Sequence, residues 1–83
     1  MNEYEFTVIL QNLSEMTEEA ANALYEAGCD DGTPVSSEGK AWVSFLRDAN
    51  SLEEALRSAI ADVQTAGFRV AKVELEPETL AKT

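Results

Sequence analysis

A chain of 83 residues with 45% hydrophobic content is the size of one domain with a single pair of packed layers, and too apolar to be a disordered segment. Sixteen acidic residues against six basic ones leave a net charge of −10, a field that repels phosphate backbones and anionic headgroups and argues against nucleic acid and membranes as partners. The one cysteine excludes an internal disulfide, and with no signal-peptide pattern or long apolar run the expectation is a soluble, cytoplasmic protein.

Tyr4 to Gln11 alternates Tyr4, Phe6, Val8 and Leu10 against Glu5, Thr7, Ile9 and Gln11, which predicts a strand with one apolar face. Only Ile9 is strongly apolar on its reverse. After a short connection, Asn12 to Met16, Thr17 is a helix cap, with Glu18 and Glu19 set against the helix dipole. Ala20, Ala23, Leu24 and Ala27 form a small-residue stripe and Gly28 ends it. Cys29 to Pro34 is turn-rich, Asp31-Gly32 suiting a tight turn. Val35 to Ser37 is a short strand that Pro34 confines to a sheet edge. Glu38-Gly39 suits a hairpin tip, and Lys40 to Arg47 sets Ala41, Val43 and Phe45 against Trp42, Ser44 and Leu46. Both faces of that strand carry apolar bulk, as a central strand would.

The strongest pattern is Ser51 to Gly67. Leu52, Ala55, Leu56, Ala59, Ile60 and Val63 share one helical stripe, Ser51 and Glu54 have capping-box spacing, and Gly67 stands where a left-handed C-terminal residue is wanted. Phe68 to Glu76 is a last strand with Ala71, Val73 and Leu75 on one side. Pro77 ends it, leaving residues 78–83 as a frayed tail to a domain of residues 1–77.

Strand, helix, strand, strand, helix, strand is the split pattern of the ferredoxin-like α+β fold. Two right-handed crossovers put both helices on one face of a four-stranded antiparallel sheet of order 4-1-3-2. The other face has no covering element. On it this register places Thr7, Ile9, Trp42, Ser44, Leu46, Val70 and Lys72, so that Ile9, Trp42, Leu46 and Val70 form an apolar interaction surface. The inverted register, with Trp42 in the core, would expose Val43 and Phe45 instead.

Ala27-Gly28-Cys29-Asp30-Asp31-Gly32-Thr33, Phe45 to Ala55 (FLRDANSLEEA) and Ser58 to Val63 (SAIADV) resemble an uncharacterised family of small bacterial proteins. There a GCDD turn and an F-x-R-x-A-x-S-L-x-x-A…SAI-x-D-V segment form an amino-terminal domain, often followed by a helix-turn-helix. The similarity spans Phe6 to Leu80 and is specific in these two motifs. It implies a regulatory or interaction domain without known catalytic residues. Because this sequence stops at Thr83 without the helix-turn-helix, the resemblance does not carry a DNA-binding role to this chain by itself.

Residue chemistry points the same way. Cys29 follows a helix C-terminus, whose dipole disfavours a thiolate, and the chain has no histidine to activate it, so a structural cysteine is expected. Asp30, Asp31 and Asp48 are the conceivable cation ligands, but the loop lacks EF-hand spacing and turn formation is the preferred reading. Arg47 is placed to pair with Asp30 or Asp31 across the sheet's end, a loop cluster with Cys29; the alternative is a solvated arginine. A copper-chaperone role lacks its C-x-x-C, and an acylphosphatase-like role lacks its glycine-rich loop, the first strand being followed by Gln11-Asn12-Leu13-Ser14. An RNA-recognition role has Trp42 but no basic rim. The expectation is therefore a noncatalytic regulatory or protein-interaction module with no cofactor, either a homodimer through the open sheet face or bound to another protein. A small-ligand sensor at the edge between helices and sheet is the alternative.

Overall fold

Alternating apolar residues in two long strands build the core. A computed structural model describes residues 2–11 and 13–75. In β1 (Asn2–Leu10) Tyr4, Phe6, Val8 and Leu10 are buried, and in β3 (Lys40–Ala49) Ala41, Val43, Phe45, Arg47 and Ala49 are. The two strands run antiparallel with Phe6 opposite Phe45 and Val8 opposite Val43, and the phenyl rings stack with centroids 5.4 Å apart. The edge strands β2 (Gly32–Ser37) and β4 (Val70–Leu75) pair antiparallel with β3 and β1, giving the order β2-β3-β1-β4. Helix α1 (Glu18–Glu26) links β1 to β2, and α2 (Leu52–Thr65) links β3 to β4. This is the ferredoxin-like βαββαβ arrangement, with the 4-1-3-2 order read from the opposite edge. Leu24 of α1 and Ala55, Ala59 and Val63 of α2 join the cluster formed by the inward residues of β1 and β3, so one sheet face is covered by helices.

Both helices begin and end by the same local chemistry. The Thr17 hydroxyl accepts from the Ala20 N–H and the Ser51 hydroxyl from the Glu54 N–H, each at 3.1 Å. At the C-terminus of α1 the Cys29 and Gly28 N–H groups donate to the Leu24 and Tyr25 carbonyls; at that of α2 Phe68 and Gly67 donate to Val63 and Gln64. These are two Schellman motifs, with Gly28 at φ 117° and Gly67 at φ 97° supplying the required positive φ. They turn Cys29 into the core and Phe68 against it.

The strands depart from expectation in their bounds and in one register: β1 covers Asn2–Leu10 against the expected Tyr4 to Gln11, and β4 starts at Val70, two residues after the expected Phe68. β2 begins at Gly32, inside the segment expected to be turn: the turn closes one residue earlier, through the Gly32 N–H to Cys29 carbonyl bond. Gly32 then lies against Phe45, where an added Cβ would come within 2.6 Å of Val43 Cγ1. β3 runs past Arg47 because Asp48 and Ala49 pair with Glu3 and Asn2. In β4 the register slips. Lys72 pairs with Ile9 but Val70 with Leu10, leaving Ala71 as the unpaired residue of a bulge. The expected hairpin tip has Glu38 at φ 51° and Gly39 at φ 79°. Asn12, Glu76, Pro77 and the tail of residues 78–83 lie outside the described residues. Among the described residues, no helix is long and apolar enough to cross a membrane.

Candidate interaction surface

Among the described residues two places gather polar or exposed apolar side chains: the end of β3 around Arg47, and the sheet face that no described helix covers.

Arg47 points inward from β3 and is only 8% exposed. Its Nε and Nη2 donate to Asp31 Oδ2 and Oδ1 at 2.7 and 2.8 Å, Nη2 also to the Gly28 carbonyl at 3.0 Å, and Nη1 to Ser58 Oγ at 3.0 Å. Nη1 also lies 3.1 Å from Asp62 Oδ2, and the guanidinium carbon sits 5.0 Å from the centroid of the Phe45 ring. Four of the five N–H donors of the guanidinium are thus hydrogen-bonded, and the Asp62 carboxylate lies within ion-pair distance of Nη1. The hydrogen bonds to Asp31 and Asp62 hold its pKa above the ordinary arginine value despite burial. Of the two aspartates considered as partners, Asp31 holds the arginine, while Asp30 is exposed on the turn. Sequence reading missed Ser58 and Asp62. Their i, i+4 spacing sets them on one flank of α2, a signal that becomes specific only once β3 is known to end beside it.

Cys29 is 2% exposed, and burial, followed by the nearby Asp62 carboxylate, pushes its thiol up to about 11. It is thus a protonated packing residue. Asp30, Asp31 and Asp48 do not converge: Asp31 is bound to Arg47 and Asp48 stands opposite Glu3. Among the described residues no cluster of three metal-ligating side chains occurs, and every buried side-chain polar atom has a partner.

Rows of residues cross the bare face from strand to strand. Val35, Trp42, Ile9 and Lys72 form one row, and Thr33, Ser44, Thr7 and Glu74 the next. Beyond them come Leu46 beside Glu5, then Asp48 beside Glu3. Ile9, Trp42 and Val35 are half-buried by their neighbours, and Leu46 is 53% exposed. Of the four residues expected on this surface, Ile9, Trp42 and Leu46 lie on it and Val70 does not. The bulge at Ala71 turns Val70 to the helix side, where it packs against the core beside Leu10. Val35, read from the sequence as part of a short edge strand, lies on that edge strand and extends the Trp42 row.

A groove of about 790 Å³ runs along this face, with Ile9, Trp42, Thr7, Lys40 and Lys72 in its lining and Leu13 of the β1–α1 connection at one end. Both lysines of the described residues line it, in a chain that is otherwise strongly acidic. The acids Glu3 and Asp48 lie at the opposite end of the same face. Comparison with protein-family models, with curated proteins and with solved structures finds no match to this chain.

Proposed function

We propose that this chain is a noncatalytic regulatory or protein-interaction module of the cytoplasm that self-associates through the bare face of its sheet. One observation carries the reading: Trp42, flanked by Val35 and Ile9 and with Leu46 exposed nearby, stands on a sheet face that no element among the described residues covers. The state of the reactive side chains supports the noncatalytic part. Arg47 is buried and engaged by Asp31, Gly28, Ser58 and Asp62, and Cys29 holds its proton. The regulatory role implied by the resemblance to the small bacterial proteins fits such a module. A small-ligand sensor at the helix–sheet edge has less support, since the groove opens on the bare face. Sedimentation over a micromolar concentration series tests the proposal. A dimer that builds up with concentration in the wild type, and is lost in Trp42→Ala while the variant still melts cooperatively, is the expected result; a wild type that stays monomeric throughout overturns it.

A further inference from the structure

We infer that self-association through this face, the reading on which this inference rests, is antiparallel about a two-fold axis crossing β3 at Ser44. Lys40 of each copy then faces Asp48 of the other, and Trp42 faces Leu46. The outward row of β3 is Lys40, Trp42, Ser44, Leu46, Asp48, because alternate residues of a strand share a face. Laid over itself in reverse, this row sets cation on carboxylate, indole on isobutyl and hydroxyl on hydroxyl, and the symmetry repeats every pair.

Three observations support this register. Neither Lys40 nor Asp48 has an ion-pair partner within its own copy among the described residues, so both are available across an interface. In the midpoint row Thr33, Ser44 and Thr7 are small and let two sheets approach face to face, while Glu74 stands at the row's outer edge, 3.5 Å from the Lys72 ammonium of its own copy. The opposite orientation is also electrostatically poor: strands stacked parallel would bring Asp48 and Glu3 of one copy onto the same acidic end of the other.

The area is adequate for a reversible dimer. Two central strands about 30 Å long and two edge strands of six residues, about 20 Å long, spaced about 4.8 Å apart, give two faces that together bury on the order of 1,000 Å², at the lower limit of specific interfaces. Each copy carries −10, so long-range repulsion opposes the contact at low salt. At physiological ionic strength, with a screening length of about 8 Å, that repulsion is damped while pairs in contact persist.

Charge reversal read by sedimentation at that ionic strength is the test. Lys40→Glu and Asp48→Lys each place like charges at the ends of the interface, and each is expected to weaken the dimer about tenfold. The double variant K40E/D48K restores opposite charges in the antiparallel register and is expected to dimerise like the wild type. Both positions are exposed, and a melting curve for each variant checks that it folds. A dimeric wild type whose single variants are unchanged, or whose double variant stays as weak as the singles, overturns this register and leaves sheet-face association standing. A wild type that never dimerises removes both.

Discussion

Arg47 at the end of β3 and Asp31 in the turn after α1 meet as a fork, with Nε to Oδ2 at 2.7 Å and Nη2 to Oδ1 at 2.8 Å. The same guanidinium reaches Ser58 and Asp62 on α2, so one side chain ties the turn, the sheet and the second helix together.

Replacing Arg47 with Ala leaves Asp31 and Asp62 facing a site that has lost its cation, besides removing the contact with Phe45. The expected loss is about 3 kcal/mol, the size seen when one partner of a buried ion pair is removed. Arg47→Lys keeps the charge without the planar fork and should lose an intermediate amount. Urea unfolding measures both. A loss under about 0.5 kcal/mol for the alanine variant would mean that the arginine behaves as a solvated surface group.

Gly28 and Gly67 occupy equivalent places in the two Schellman motifs but differ in their surroundings. A Cβ on Gly28 would lie 2.8 Å from Asp62 Oδ2, whereas one on Gly67 would meet nothing within 4 Å. Gly67→Ala therefore carries only the backbone cost, about 1 kcal/mol. Gly28→Ala should be about twice as destabilising, because it also displaces a carboxylate that Arg47 holds. Equal losses on denaturant unfolding would contradict the close approach.

Cys29 gives stability a pH dependence of definite sign. Below about pH 9 the thiol is protonated in both states, and its contribution is fully present. As pH rises from 9.0 towards 11 the unfolded chain releases the proton first, so stability falls across that window. The fall attributable to this group is at most about 2–3 kcal/mol. Cys29→Ala should be less stable at neutral pH but lack this component. Unfolding curves at about pH 8 and about pH 10.5 compare the two proteins, and an equally steep decline in both would remove Cys29 as its source.

Net charge sets the response to salt. At −10 the folded chain repels itself, so the melting temperature of the dilute monomer should rise by a few degrees between low and moderate salt. Dilution below the range of association separates this effect from any change in dimer. A steady fall with salt would show that the attractive pairs, above all Arg47 with its two aspartates, outweigh the general repulsion.

Local pattern already determined much of this protein. The alternation of Tyr4, Phe6, Val8 and Leu10, the stripe from Leu52 to Val63, and the Thr17, Ser51, Gly28 and Gly67 caps each depend on residues within a few positions of one another, so elements, order and fold class are legible in one dimension. The bare face with Ile9, Trp42 and Leu46 follows from the same two-residue period. Tertiary structure decided the rest. Val70 belongs inside because β4 must meet both Leu10 and Ile9 of a twisted partner while its start is held by the turn after α2, and the extra residue is absorbed at Ala71. Arg47 is buried rather than solvated because Gly28, Asp31, Ser58 and Asp62, distant along the chain, converge where β3 ends. Periodicity records which side of an element avoids water; which polar groups meet, and where a register slips, depends on contacts made only when the elements pack.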